Sequence, residues 1–367
     1  MSRLFYYTSV DTASKILSSG TMWATNIRYM NDSEELSNGL NEIEKYNGSN
    51  KDHIKLCISE LRNEKSIMHY TLSFSGRDDS LSQWSMYSKE SGVSLEMDFG
   101  DKDLRLKYEL ENYELEKPQE LEIKPVIYCT SSSDGMPPEE LSKAETNIHK
   151  MVEDHCGNQL AGLPAIRESV AECAALIKRY EFYQEDEYRA VFNLNNVDTT
   201  EKSPIFYRTE ANVLKSFIKV KCCTGGNIGW PVVSVMVGPG FNQDVVFNSL
   251  IFFLDNSNIH IAEITHDEYI LRAKEYLLEG VKKLPDEKNI QEFSEIIDNH
   301  NWGCCRDFIN PQFSSQMQIE VNGIVEQLID KASGENLLTP DFKKYWDNNY
   351  FSRTSVILKK SSIPYIF

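Results

Sequence analysis

The sequence predicts an α+β fold over residues 1–272, with a mostly antiparallel sheet and flanking helices, followed by a helical region over residues 273–367. Short segments in which apolar and polar residues alternate recur along the first part and are separated by turn residues, which favours strands with short connections. Segments with apolar residues at helical spacing lie between these strands. Beyond residue 272 the helical spacing dominates. The C-terminal part is therefore predicted to be a helical appendage.

The first elements follow one another closely. The chain opens with a predicted strand over residues 4–8, and Asp11 is predicted to cap a helix that stops at Gly20. A strand over residues 21–25 comes directly afterwards. The next predicted elements are two amphipathic helices at about 32–46 and 50–64, a strand at 68–74, a short helix at 80–88 and a strand at 93–99.

The middle of the chain carries a Ser- and Pro-containing loop over residues 130–138, placed between a strand at 126–129 and two predicted helices. Those helices lie near 139–154 and 165–181. The β-branched and aromatic segments that follow favour antiparallel strands. The remaining predictions are strands at 188–194, 204–208, 214–221, 231–237 and 259–264, and helices near 243–254, 267–284 and 313–332.

Composition limits the class of protein. Of the 367 residues, 41% are hydrophobic, which is enough for a large core, and 56 acidic residues against 38 basic ones leave a net charge of −18. Such a charge disfavours broad coating of a polyanion except at a local basic patch. The longest apolar run, Val245–Leu254, is too short to cross a bilayer, and the first residues lack an apolar leader. We expect a cytoplasmic protein with reduced thiols and no membrane partner.

Polar and aromatic residues form four short clusters. These are Tyr6-Tyr7-Thr8-Ser9, then Asn31-Asp32-Ser33-Glu34-Glu35, then Ser73-Phe74-Ser75 with Asp79 to Tyr87, and finally Glu185-Asp186-Glu187-Tyr188-Arg189. Each cluster also has a structural interpretation: a strand end, a helix cap, a packed aromatic pair and a solvated Glu/Arg pair. In the last cluster, alternation predicts that Tyr188, Ala190 and Phe192 are buried and that Glu187 and Arg189 lie on the opposite, exposed face.

In this order the four clusters, with a late Val237-Gly238-Pro239 turn, resemble an uncharacterised bacterial domain-of-unknown-function family that is frequent near mobile elements and phage-defence loci. The resemblance runs from about residue 4 to about residue 272. Met30, Ser33 and Gln83 depart from the family pattern, in which Phe, Pro and an apolar residue are usual.

That family is itself similar to ADP-ribosyltransferases, and the resemblance implies their split antiparallel sheet and their use of NAD as substrate. By this resemblance, Glu187 stabilises the oxocarbenium-like state formed as nicotinamide leaves, and Glu185 orients or deprotonates the acceptor. Tyr7 would hold nicotinamide. The implied NAD-binding residues are Tyr7, Thr8, Asn31, Asp32, Ser75, Trp84, Tyr87 and Arg189, with Ser75 bracing a carboxylate and Trp84 or Tyr87 stacking on the pyridinium ring.

The same resemblance implies a toxin or anti-phage effector that modifies a protein or nucleic-acid acceptor or hydrolyses NAD, with a possible antitoxin or defence-system partner. Asn31, Asp32 and Glu35 are expected to border the cleft that holds Tyr7. Two other classes of function stay open. One is a catalytically silent module that binds a nucleotide or a protein. The other is a Mg²⁺-dependent nuclease that would use Asp98 with Glu122 and Lys124.

Overall fold

The computed structural model describes residues 3–30, 34–64, 67–87, 92–99, 104–113, 118–129, 136–157, 162–195, 203–224, 227–228, 230–257, 266–305, 310–352 and 356–363. The backbone groups into two compact units. The first unit comprises residues 1–5, 21–78 and 99–226, and the second comprises residues 6–20, 79–98 and 227–367. These units do not coincide with the predicted division at residue 272. That division stays a prediction about which part folds independently.

The strands are β1 Arg3–Ser9, β2 Thr21–Asn26, β3 His69–Ser75, β4 Gly92–Asp98, β5 Arg105–Leu110, β6 Gln119–Pro125, β7 Ile127–Cys129, β8 Ile177–Arg179, β9 Glu187–Asn193, β10 Ile205–Glu210, β11 Val213–Thr224, β12 Asn227–Ile228, β13 Val232–Val237, β14 Asn349–Phe351 and β15 Ile357–Lys360. The helices are α1 Val10–Ser19, α2 Glu35–Glu44, α3 Lys51–Asn63, α4 Leu81–Tyr87, α5 Pro138–Val152, α6 Leu163–Ala174, α7 Gln243–Asn256, α8 His266–Val281, α9 Glu287–Asn299, α10 Asn310–Gly334 and α11 Pro340–Asn348.

The first unit contains an antiparallel ring of strands. Going round the ring, β2 pairs with β11, β11 with β5, β5 with β6, β6 with β9, β9 with β3, and β3 with β2 again. Strand β11 makes this closure possible because it spans 12 residues and pairs on one edge with β2 and on the other with β10 and then β5. The ring is a small closed barrel of the kind that side chains alone can fill.

Apolar side chains at alternate positions of each strand point inward and fill this barrel. Residues that are almost completely buried come from every strand of the ring and include Met22, Tyr70, Leu72, Leu106, Ile123, Phe192, Ile218 and Val220. Inside, the rings of Tyr108 and Phe192 meet edge to face with their centroids 4.9 Å apart. The intervening side chains point outward, so the outer wall of β3 and β9 is left to be covered by something else.

Four helices, α2, α3, α5 and α6, form a second hydrophobic core in this unit, and Val191 on the outer wall of β9 packs against it. Helices α2 and α6 approach very closely. A Cβ added at Gly39 would lie 2.3 Å from the backbone oxygen of Ala174, so only glycine fits there. The helical layer thus lies against the outer wall of the barrel and encloses whatever side chains point outward from β9.

The second unit has a row of strands in the order β4, β13, β15, β14. Strands β13 and β15 are parallel, whereas β4 pairs with β13 and β14 pairs with β15 in antiparallel fashion. Helices α8 to α11 surround a core of their own that includes Phe293, Val321, Phe342 and Trp346. The predicted C-terminal helices are therefore present. The region is not wholly helical, because it also contains β14 and β15, and β15 pairs with β13.

Several local predictions need correction. Helix α1 is capped by Ser9, whose side chain accepts a hydrogen bond from the Thr12 backbone N–H, and Asp11 lies in the first turn instead. Helix α6 ends at Ala174, not near residue 181, because the chain leaves it to form β8. The strands that were not predicted are β5, β6, β8, β12, β14 and β15. The strand expected at 259–264 lies outside the described residues.

The coarse prediction of a mixed fold with a largely antiparallel sheet and flanking helices is confirmed. The finer expectation of an ADP-ribosyltransferase-like split sheet stays a prediction. Among the residues that the structure describes, no helix combines the length and apolar character needed to span a bilayer.

Candidate functional site

Five ionisable side chains of the first unit lie together between strand β9 and the helical layer, and we call them the acid-base cluster: Glu35, Lys178, Glu185, Glu187 and Arg189. All five are buried, with Arg189 completely removed from solvent. Charged groups are rarely buried unless they are paired, because desolvation of an isolated charge is very costly. The contacts within the cluster explain how these charges are tolerated.

Strand periodicity brings the two central members of the cluster to the same place. Ala190 and Phe192 point into the barrel, so Glu187 and Arg189 point to the opposite side, toward α2 and α6. That side was predicted to be exposed. The prediction is wrong because the helical layer covers it, leaving Glu187 only 6% exposed.

Arg189 organises one half of the cluster. Its Nε donates to Glu187 Oε1 at 2.7 Å and its Nη2 donates to Glu187 Oε2 at 2.9 Å, which is the two-point geometry that suits a guanidinium and a carboxylate. The Nη1 atom donates to the backbone oxygen of Ala175 at 2.6 Å, and Nη2 also donates to Glu35 Oε1. Arg189 thereby ties β9 to the first turn of α2 and to the end of α6.

Lys178 organises the other half. Its Nζ lies 2.8 Å from Glu185 Oε2 and 2.8 Å from Glu187 Oε2, so one ammonium joins two carboxylates. The two carboxylate oxygens are consequently no further apart than twice that distance. The Nζ atom of Lys178 also lies over the ring of Phe182, 5.0 Å from its centroid, and makes a cation–π contact with it.

The pKa values of Glu185 and Glu187 are shifted in opposite directions. Burial by itself would raise the pKa of Glu187, but the attraction of Arg189 and Lys178 outweighs it and lowers this pKa to about 2. Burial raises the pKa of Glu185, and the attraction of Lys178 compensates only in part. Glu187 is therefore held as the anion, and Glu185 is the carboxyl that more readily takes up a proton.

Backbone contacts fix the segment that carries both glutamates. The Ser75 hydroxyl donates to the backbone oxygen of Glu185 at 2.7 Å, and the Glu187 N–H donates to the Tyr128 hydroxyl at 2.7 Å. Asp186 between them adopts a left-handed conformation with φ of 44°, at the point where the 3-10 helix Tyr180–Glu185 ends and β9 begins. Ser75 thus positions Glu185 through its backbone, whereas the resemblance implied a contact with a carboxylate.

The other aromatic candidates lie in the second unit. The rings of Tyr7 and Trp84 meet edge to face at 4.7 Å, and Trp84 Nε1 donates to Asp79 Oδ1 at 2.8 Å. Trp84 is 2% exposed, with Gly238 directly against its ring. Because the ring is enclosed in this way, stacking on a pyridinium would require it to be uncovered first. The neighbouring candidates are Thr8, which is buried, and Tyr87, which is 37% exposed.

The structure brings Ser75, Glu185, Glu187 and Arg189 together in the first unit and brings Tyr7 and Trp84 together in the second. Asn31 and Asp32 lie outside the described residues. Sequence reasoning missed Lys178, because it falls inside the helix predicted near 165–181, where a lysine is expected to be solvated. The roles assigned to these residues in NAD binding stay predictions.

The residues of the nuclease alternative belong to different units. Glu122 is exposed on β6, while Lys124 contacts His155 Nε2 at 3.0 Å and Glu172 Oε1 at 3.4 Å. In the described part of the chain, no group of three or more His, Cys, Asp or Glu side chains is arranged to hold a metal ion. Asp98 belongs to the second unit.

A family model described as "Protein of unknown function (DUF2971)" matches residues 83–190, a segment that runs from α4 into β9 and includes Lys178, Glu185 and Glu187. This match agrees with the expected resemblance to an uncharacterised family. No curated protein and no solved structure matches the chain.

Proposed function

We propose that the acid-base cluster cleaves the N-glycosidic bond between nicotinamide and ribose in NAD and passes the ADP-ribosyl group to an acceptor or to water. The proposal rests on one observation: two carboxylates bridged by a single ammonium have pKa values shifted in opposite directions. Pairs of titratable groups that differ in this way are typical of acid-base chemistry.

The chemistry assigns a separate role to each glutamate. As the bond from C1′ to the pyridinium nitrogen breaks, the electron pair leaves with neutral nicotinamide and positive charge develops on the ribose. An ionised carboxylate at Glu187 stabilises that charge. The acceptor then forms a bond to C1′ and loses a proton, which Glu185 takes up because its pKa is the higher of the two.

A second candidate is a catalytically silent module in which the cluster has a structural role. The complete burial of Arg189 and its four hydrogen bonds to Glu187, Ala175 and Glu35 favour this alternative, since these donors of Arg189 are already engaged by the protein itself. The two candidates differ in whether NAD is consumed at all.

The decisive experiment measures NAD consumption and acceptor labelling by purified protein carrying Glu185→Gln. A neutral glutamine imitates the protonated form that burial already favours, so the variant is expected to fold normally. We expect NAD hydrolysis to persist and acceptor modification to fail, whereas Glu181→Gln, an exposed neighbour, should behave as wild type in both assays. Wild-type protein that consumes no NAD and does not inhibit growth when expressed would exclude the enzymatic proposal and leave the silent module.

A further inference from the structure

We propose that the outer face of β2, β10 and β11 binds single-stranded nucleic acid, with a base stacked on Trp23. This proposal concerns a different surface of the first unit and does not depend on NAD chemistry. Three aromatic rings form a row on this face, and cationic side chains lie beside them.

The row of rings follows from the strand register. Phe217 on β11 is opposite Thr25 on β2 and opposite Phe206 on β10, so their side chains share the outer face of the barrel. Trp23 stacks on Phe217 with ring centroids 4.5 Å apart and planes 25° apart, and Phe206 stacks on the same ring at 5.7 Å and 27°. Phe217 is the buried middle of the row.

Trp23 lies at the end of this row and is 40% exposed. A large aromatic at the end of a ladder, fixed from behind by a buried ring, is a platform for one more flat ring. Nucleobases stack on such platforms with little regard to sequence, because every base has an aromatic face. The rigid support from Phe217 means that little conformational freedom is lost when a base is added.

Three cations surround the rings. The guanidinium carbon of Arg208 lies 6.0 Å from the centroids of both Trp23 and Phe217, and Lys219 Nζ lies 4.5 Å from the centroid of Phe206. Lys215, opposite Arg208 on the neighbouring strand, belongs to the same face. In a chain with a net charge of −18, a local group of cations around aromatic rings is the kind of surface on which a polyanion can still bind.

The cations are already paired at the surface, and these pairs are of a kind that phosphates can replace. Lys219 contacts Glu111 at 2.7 Å, while Arg208 and Lys215 both lie 3.3 Å from Glu210. Partly exposed ion pairs contribute little net free energy, so exchanging a carboxylate for a phosphate oxygen costs little. Two carboxylates among three cations leave a local excess of positive charge.

The test measures binding of the full chain to a fluorescein-labelled 20-nucleotide oligo(dT) by anisotropy at several salt concentrations. We expect measurable binding that weakens as salt rises, because phosphate contacts release counterions. Trp23→Ala should weaken binding by about tenfold or more through loss of one stacked base. Trp23→Phe, which keeps an aromatic ring, should retain most of the binding. This variant also tests the role of the ring if Trp23→Ala is poorly folded.

Tyr207→Ala is the matched control, because Tyr207 is a 62% exposed aromatic on the same hairpin but alternates to the opposite face from Arg208. It should bind as wild type does. Arg208→Gln should weaken binding and reduce the dependence on salt.

Absence of binding at low salt, or equal losses in Trp23→Ala and Tyr207→Ala, would overturn the proposal. A wild-type dimer in solution that Trp23→Ala converts to a monomer would also overturn it, by assigning this face to a second copy of the chain. Because the assay contains no NAD, its outcome is separate from that of the glycosidic-cleavage proposal.

Discussion

The guanidinium of Arg189 makes a two-point ion pair with the carboxylate of Glu187, although the two residues lie only two positions apart on the same strand. Strand β9 therefore supplies both charges of the pair and carries them together to the side that faces the helices. Glu35 on α2 adds a third charge to this pair, so the barrel and the helical layer are joined by electrostatic contacts as well as by packing.

Replacing Glu187 with glutamine should cost about 3–5 kcal/mol of unfolding free energy, because it leaves Arg189 and Lys178 buried without their shared anion. Urea unfolding at neutral pH measures this difference. In the wild type, the stabilisation from the lowered pKa of Glu187 should be complete above the ordinary value of 4.5 and should disappear as pH falls toward about 2.

Glu122→Gln provides the comparison for that variant, since Glu122 is exposed on β6 in the same unit. Its effect should stay within about 0.5 kcal/mol. Equal stability of the two variants would mean that the ion pairs of the acid-base cluster contribute nothing net to folding.

Gly39→Ala should destabilise the protein by about 1–3 kcal/mol, because the new methyl group would clash with the backbone oxygen of Ala174 and force α2 away from α6. Gly323→Ala in α10 is the matched substitution in an open position, with nothing within 4 Å of the added Cβ. It should stabilise its helix by about 0.5–1 kcal/mol. Thermal melting of both variants checks whether the midpoint falls in Gly39→Ala and rises in Gly323→Ala.

Asp79→Ala should release the C-terminal end of the described chain. The Asp79 carboxylate accepts hydrogen bonds from the Ser361 hydroxyl at 2.5 Å, from the Ser362 N–H at 2.9 Å and from Trp84 Nε1 at 2.8 Å. Hydrogen bonds to a charged group contribute about 1.5–3 kcal/mol, so we expect a loss of at least that order and faster carboxypeptidase digestion.

The control for Asp79 is Asp244→Ala, which removes only a surface ion pair with Lys360 in the same unit. Such a pair contributes at most about 1 kcal/mol, and the rate of digestion should not change. If the Asp79 variant were digested no faster than this control, the contacts with Ser361 and Ser362 would not be what holds the segment.

His69 should make stability fall as the solution becomes mildly acidic. Its side chain is 1% exposed, and burial lowers its pKa below the ordinary 6.5 despite the opposing attraction of Glu168. A lowered histidine pKa means that protons bind preferentially to the unfolded chain, so the stability present above pH 6.5 is lost as pH falls through the folded-state pKa.

Urea midpoints at pH 7.5 and 5.5 measure this effect. The decrease between the two pH values should be smaller in His69→Gln than in the wild type, while His53→Gln, at an exposed site on α3, should keep the wild-type decrease. An unchanged decrease in the His69 variant would assign the pH dependence to other groups.

Most helices and strands were predictable because their periods are local properties of the sequence. Strand β5 was also predictable, because Leu106, Tyr108 and Leu110 alternate with charged residues, which is the period of a strand with one buried face. Ring closure was not predictable in the same way. It depends on β2 pairing with β11, and nothing in either segment specifies a partner so distant in sequence.

The candidate site could likewise be predicted only in part from the sequence. Glu185, Glu187 and Arg189 were identifiable as a polar cluster, yet their burial depends on a helical layer formed elsewhere in the chain. Lys178 carries no sequence signal, because a lysine between two apolar segments reads equally well as a solvated helix residue. Its role emerges only from the position of its Nζ between two carboxylates.

Closure of the barrel also sets the timing of folding during synthesis. Both the β11 partner of strand β2 and the β9 strand that carries Glu187 are translated more than 150 residues after β2. Until then β2 has an unpaired edge, a state that exposes nascent chains to aggregation and makes them clients of chaperones. The acid-base cluster therefore cannot assemble on a nascent chain until β9 has been translated, and any activity of that cluster would begin only after that point.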